Sequence, residues 1–374
     1  MQISKIIYVK CKRIEALLLS LLLTCFIISC DSGEGALNLN GQDDHIELLT
    51  NQINDVIIPS INTYNNNTKA LFESSTLFCE SKNEENLNIL IEAYKNSYKS
   101  FQSAALHNYY ANINYDLVNT TNLFPIDTLL LAEIITSKTY NFSSESQKRA
   151  NGFPALDYLF YSSMNPLDSF ILDENRCDYV LKLSESMANK ANQLYSMWTG
   201  SLKENFIGND GIEIGSSVHV QLNNVLSYYE DHIRENKVGL PIGRIGPLDS
   251  PIESDPTKIE AYYHSQYDGN DSFALSLVRE SIQEMEDLYL GGNTSRNDLI
   301  NSGYDRLLIS RGHTEVDSDI KSQFDLIYAK IDERTSITGN TDLYDAIQGL
   351  ITIFKSDLFP LLNIQDADGK NDGD

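Results

Sequence analysis

The side chains able to do chemistry are scattered in this chain. Its six histidines stand at positions 45, 107, 219, 232, 264 and 313, and no HExxH or HxxxH pair occurs to hold a metal across one helical turn. His45 and Glu47 are two apart, as are His313 and Glu315. That spacing puts the members of each pair on different helix faces and spoils shared ligation. The sequence also has no CxxC, no G-x-S-x-G elbow and no P-loop, so spacing alone indicates no enzyme. His107 and His219 lie on apolar stretches and read as satisfied core or surface histidines. His232, within YYEDHIRENK (228–237), reads as part of a solvated charged face. One acid stands out by its setting: Asp157, inside the apolar run RANGFPALDYLFY (149–161). Pro154 suits the first turn of a helix there, where its missing N–H costs nothing. Asp157, a few residues further, would keep a negative charge near the positive end of the helix dipole.

The elements that must position these residues are helices. Leu87, Leu90, Ile91, Tyr94, Tyr98, Phe101 and Ala105 recur every three or four residues, as do Val180, Leu183, Met187, Ala191, Leu194 and Trp198. Leu343, Ile347, Leu350, Phe354 and Leu358 repeat the pattern behind the capping pair Asn340-Thr341. This is the period of an amphipathic helix, and alternating strand patterns are scarce, so the chain reads as all-α. Two breaks interrupt it. FIGNDGIEIG (206–215) carries turn chemistry and divides the chain into nearly equal halves, 45–205 and 206–364. GLPIGRIGPLDSPIESD (239–255) is too rich in Gly and Pro for a helix and reads as an ordered loop. Tyrosine is unusually frequent, 21 residues against one Trp, with pairs at 109–110, 228–229 and 262–263. In a helix one member of each pair faces the core and the other its edge.

The first 29 residues read as a signal peptide: Lys5, Lys10, Lys12 and Arg13 precede an apolar stretch from Ala16 to Ile28 that is shorter than a membrane span. Ile27-Ile28-Ser29-Cys30 has the form of a lipobox, which makes Cys30 the expected lipidation site and residues 30–44 a flexible tether. The expected location is the cell envelope, anchored by lipid, at the outer membrane. Beyond Cys30 only Cys79 and Cys177 remain, either as a disulfide in an oxidising compartment or as separate buried thiols. Removing residues 1–29 leaves 24 basic against 52 acidic side chains, a net charge of −28. Such a surface repels nucleic acid, and that class of partner is excluded. The tail QDADGKNDGD (365–374) places Lys370 where a calcium loop needs an oxygen and lacks the distal Glu, so it reads as a solvated acidic tail.

Four stretches taken together resemble the imelysin-like (peptidase family M75) proteins. They are Asn122-Leu123-Phe124-Pro125-Ile126-Asp127 followed by Glu133; RANGFPALDYLFY; Lys237-Val238-Gly239-Leu240-Pro241-Ile242-Gly243 ahead of Lys258-Ile259-Glu260-Ala261-Tyr262-Tyr263; and Phe354-Lys355-Ser356-Asp357-Leu358-Phe359-Pro360. The resemblance covers roughly residues 45–362. It implies two related helical-bundle domains forming one compact unit, with a cleft at their junction. Family members are exported or attached to the outer membrane, and several are linked to iron acquisition. The peptidase label came with founding members. The family's hallmark, G-x-H-x-x-E, sets His and Glu on one helical face, where they can share iron or another divalent metal. Here Gly152 matches the glycine, but Pro154 stands for the histidine and Asp157 for the glutamate. Pro154 cannot ligate, so Asp157 is the one weak metal candidate and no cofactor is assigned. Asp127 and Glu133 complete the residues expected around the cleft. The resemblance therefore implies a lipid-anchored envelope binding protein associated with iron uptake, with envelope iron-uptake proteins as partners. An active metallopeptidase and a structural or adhesive surface lipoprotein are the alternatives.

Overall fold

Helix α1 (Asp43–Asn51) passes through a π-helical segment, Gln52–Ile57, into α2 (Ile58–Glu80), and α3 spans Glu84–Ala105. The chain continues through α4 (Leu117–Thr121), α5 (Thr128–Ser137), a 3-10 turn at Glu145–Ala150, α6 (Gly152–Tyr161) and α7 (Pro166–Leu172). Long α8 (Glu174–Thr199) leads to α9 (Ser201–Gly208) and α10 (Ser217–Tyr228). A second π-helical segment, Tyr229–Gly239, runs into the short α11 (Leu240–Ile242). After a 3-10 turn at Pro256–Lys258 come α12 (Tyr262–Asp268), α13 (Ser272–Leu290), α14 (Tyr304–Ser310) and α15 (Thr314–Asp332). The last elements are α16 (Thr341–Ile353), a third π-helical segment at Phe354–Leu358, and α17 (Phe359–Leu361). This computed structural model describes residues 43–110, 117–244, 253–292 and 302–366, and they contain no β-strand. The signal peptide, Cys30, most of the tether, the centre of the 239–255 stretch and nearly all of the acidic tail lie outside the described residues.

The spacing read from the sequence is what the core uses. Leu87, Leu90, Tyr94, Tyr98, Phe101 and Ala105 are buried along α3, and Val180 through Trp198 along α8. Each large apolar side chain removed from water contributes about 1.5–3 kcal/mol. Local chemistry sets the ends: Asn83 accepts from the Asn86 amide at 2.9 Å to start α3, and Asn340 accepts from the Leu343 amide at 3.2 Å to start α16. Helices α2, α3 and α8 pack together, and the disulfide Cys79–Cys177 ties α2 to α8. On the other side α13, α15 and α16 pack together, with the second π segment against α16. Contacts of α13 with α3 and of α12 with α6 join the two groups, and all described residues belong to one compact unit.

Two readings of the sequence are corrected here. YYEDHIRENK is not a solvated face. It forms most of the second π segment, and Tyr229, Glu230, Ile233, Arg234 and Lys237 are buried. The cause is the wider turn, with the Leu240 amide bonded to the Glu235 carbonyl five residues back, which brings side chains four and five apart onto one face. The same helix runs on to Ile242, so the 239–255 stretch begins as helix rather than as loop. Gly239 permits this, because a Cβ there would lie 2.3 Å from the Arg244 carbonyl oxygen.

Candidate functional site

The start of α6 is set by Gly152. Its φ is +70°, and a Cβ would lie 1.8 Å from the Thr121 carbonyl oxygen, so only glycine lets α6 approach the end of α4. That approach seats Phe153 on Tyr98 of α3, stacked at 4.2 Å between ring centroids. Pro154 is buried at the third helical position, where no intrahelical partner waits for its N–H.

Asp157 lies a full turn inside α6 and is 1 % exposed. The dipole it meets is therefore that of another helix. Its Oδ2 accepts from the Tyr263 amide at 2.7 Å and its Oδ1 from the His264 amide at 3.1 Å, both in the first turn of α12. Oδ1 also accepts from the Tyr94 hydroxyl at 3.2 Å. Helix α12 has no cap of its own: the chain enters it through Ala261, in the left-handed region at φ 55°, with no capping side chain. Asp157 supplies from 106 residues away the carboxylate that an N-cap would supply locally. Burial pushes its carboxyl up to about 7, against the lowering effect of the three hydrogen bonds, and the nearby Glu260 charge adds to the rise.

A second polar centre adjoins the first. Lys237 of the π segment is 2 % exposed and Glu260 1 %, and the Lys237 ammonium donates to Glu260 Oε2 and, at 2.6 Å, to Gln102 Oε1. Glu260 Oε1 accepts from Asn122 Nδ2 at 2.6 Å and Gln102 Nε2 at 3.0 Å, and Tyr98 donates to Asn122 Oδ1 at 2.6 Å. Burial lowers the Lys237 pKa while Glu260 opposes the shift. Tyr94 and Tyr98, one turn apart on α3, serve the two centres in turn, and burial raises both hydroxyls well above their usual range.

Beside Asn122 and Lys237 opens a cavity of about 340 Å³. Leu123, Phe124, Pro125 and Leu240 form apolar wall, while Arg149, Lys258 and His232 add basic groups. A smaller cavity of about 200 Å³ shares Val118, Tyr228 and His232 with it. Of the tyrosine pairs, 228–229 divides as expected, Tyr229 in the core and Tyr228 on the cavity wall. Behind the π segment stands the closing stretch of the chain: Lys355 pairs with Glu230 at 2.9 Å, and Arg234 donates to Gln348 at 2.5 Å.

The structure thus brings Gly152, Pro154 and Asp157 together with Asn122, Lys237 and Glu260. It does not bring Asp127 or Glu133 to the Asp157 carboxylate. Asp127 caps α5, accepting from the amides of Leu129 and Leu130 at 3.1 and 3.0 Å, and Glu133 is exposed on the same helix. Glu260, Gln102, Tyr94 and Tyr98 were not singled out as site residues from the sequence. The signal for Glu260 lay in KIEAYY, where an acid precedes an aromatic pair. His107 is buried and bonded through Nε2 to Glu284 at 2.6 Å, a core histidine. His45 and His264 are also buried, while His232 lies against Tyr228, tilted by 37° with ring centroids 4.9 Å apart. Among the described residues no three His, Cys, Asp or Glu side chains converge to hold a metal. The family's metal pair does not fit here: Pro154 offers no donor atom, and the Asp157 oxygens already accept three hydrogen bonds.

With this geometry in place, the class of protein follows. The imelysin family (peptidase family M75) is matched over residues 57–368, and the chain belongs to that family. A solved structure from Parabacteroides distasonis ATCC 8503, described provisionally as an iron-regulated protein A precursor, is similar at 16% identity and a TM-score of 0.68, covering 87% of this chain and 96% of that one. An imelysin-like protein from Psychrobacter arcticum 273-4 is similar at 16% identity and a TM-score of 0.66, covering 87% and 98%. At such identity the likeness establishes the helical fold alone. No protein with a curated description matches the chain.

Proposed function

We propose that the chain is a lipid-anchored binding protein of the cell envelope, associated with iron uptake, and not a metallopeptidase. The observation that carries this is the state of Asp157. Metal ligation needs free lone pairs aimed at a common point, and this carboxylate commits three of its four to the Tyr263 and His264 amides and the Tyr94 hydroxyl. Its motif partner is Pro154, with no ligand atom. The iron association is supported by membership of the imelysin family and by the description of the Parabacteroides protein as iron-regulated. The envelope setting is supported by the lipobox at Ile27–Cys30 and by the Cys79–Cys177 disulfide, which suits an oxidising compartment.

The test is metal content and calorimetry on the purified protein. Iron and zinc are expected to bind weakly, in a salt-sensitive way and equally to the Asp157→Asn variant, because screening weakens diffuse attraction far more than ligation. Tight one-to-one binding that Asp157→Asn abolishes would overturn the reading and restore the metallopeptidase. For the anchor, Cys30→Ala should release soluble or unprocessed protein and end labelling by a fatty-acid analogue. A processed Cys30→Ala protein that stays on the membrane would disprove lipidation at this residue.

A further inference from the structure

The 340 Å³ cavity beside Asn122 has a lining at odds with the rest of the molecule. The chain carries 53 acidic and 28 basic residues, so a lining drawn at random would be acidic by about two to one. Three other cavities are acidic: that of 200 Å³ contains Asp231, one of about 400 Å³ contains Asp55, Glu280, Glu284 and Asp287 against Lys99, and another contains Glu92, while a further one holds Glu185 with Lys182 and Lys190. The cavity beside Asn122 holds Arg149, Lys237, Lys258 and His232 and, among the described residues, no acid. Three separate elements deliver its cations: the 3-10 turn before α6, the π segment, and the 3-10 turn before α12. Glu260 pairs with Lys237 from behind, Lys258 faces Asp255 at 3.8 Å, and among the described residues Arg149 donates only to the Pro125 carbonyl at 3.4 Å.

Lys237 provides a second, independent observation. An ammonium has three N–H donors. Two of them go to Gln102 and Glu260, and among the described residues no acceptor takes the third. This side chain is 2 % exposed and lines the cavity, so the spare donor belongs to whatever fills that space. Glu260 holds the ammonium in place and Gln102 fixes its direction, while Arg149 at the mouth offers the planar fork that matches carboxylate and phosphate oxygens. Apolar wall at Leu123, Phe124, Pro125 and Leu240 suits a carbon skeleton, and the volume sits at the lower end of small-molecule sites.

We propose that this cavity binds a small organic anion carrying two or more carboxylate or phosphate groups. The proposal rests on the reading of the chain as a binding protein and names the class of its ligand. Arg149 captures one anionic group at the mouth, Lys258 flanks it, and Lys237 receives a second group at the floor. The overall negative field of the protein slows approach of such a ligand, so recognition depends on these few cations rather than on steering.

Calorimetry of the full-length protein with citrate, pyrophosphate and acetate tests this. Citrate or pyrophosphate is expected to bind one-to-one at least about tenfold more tightly than acetate, with affinity falling as salt rises. The stronger of the two identifies carboxylate or phosphate as the group recognised. Arg149→Gln combined with Lys258→Gln, at an exposed and a part-exposed position and with an unchanged urea midpoint as the check on folding, should weaken that binding at least about tenfold. Absence of saturable binding by both probes, acetate binding as tightly, or full affinity in the double variant would each overturn the proposal. The metal experiment is separate: tight Asp157-dependent metal binding with intact anion binding would sink the non-metal reading alone. Failure of the anions with metal binding still weak would sink this proposal alone.

Discussion

Changing Lys237 to Met is expected to cost about 3–5 kcal/mol of stability, the range found when one partner of a buried ion pair is removed. The variant keeps most of the lysine's volume and loses its charge, so cavity formation contributes little. What remains is the Glu260 carboxylate, 1 % exposed, hydrogen-bonded by the amides of Gln102 and Asn122 with the Tyr98 hydroxyl nearby. Those two bonds do not replace an ammonium, and an uncompensated charge in this setting destabilises the fold. Adding Glu260→Gln should recover about 2 kcal/mol or more, since no charge is then stranded and the introduced side-chain carbonyl still accepts from both amides. Urea unfolding of the wild type, the two single variants and the double closes the cycle. A loss under about 1 kcal/mol for Lys237→Met would mean that the pair is solvated, and the buried polar centre would have to be abandoned.

That centre marks the limit of what could be read from the residues in order. The regular helices were legible because burial on a 3.6-residue period leaves a stripe: all six residues from Val180 to Trp198 named for α8 are core, and Asn340 caps α16 as its type and place suggest. The π segment was illegible for the same reason. A test for 3.6-residue spacing reads YYEDHIRENK as charged all round, whereas turns with five-residue bonds gather Glu230, Arg234 and Lys237 inward and set them against Lys355, Gln348 and Glu260. Asp157 was visibly out of place in an apolar helix, and Pro154 visibly unable to bind metal. The reason for the acid was not visible, because its partners are backbone amides 106 and 107 residues away and a backbone amide leaves no mark on residue type. Asp127 and Glu133 mislead in the opposite direction. Both are acids in a family stretch, yet one closes the first turn of its own helix and the other meets solvent.

The Asp157 carboxylate should also leave a pH signature. Burial lifts its pKa from an ordinary 3.8 to about 7 in the folded chain. A carboxyl whose folded pKa is raised takes up its proton more readily folded than unfolded. Its favourable contribution is therefore complete below about pH 4 and is lost as pH rises toward 7. Asparagine at this position does not titrate, so the stability of the wild type minus that of Asp157→Asn should fall by about 4 kcal/mol between pH 4 and pH 8, at 1.36 kcal/mol per pKa unit. Carboxylates that do not interact with Asp157 titrate alike in both proteins and cancel in the difference. The substitution also turns an amide N–H₂ toward the Tyr263 and His264 amides or the Tyr94 hydroxyl, which adds an offset independent of pH. Only the slope bears on the carboxyl. Urea midpoints for both proteins at a series of pH values give that slope directly. A difference that stays flat from pH 4 to pH 8 would show that the three donors keep Asp157 ionised throughout. The cap on α12 would then be a fixed charge, and its strength would owe more to those hydrogen bonds than burial takes away.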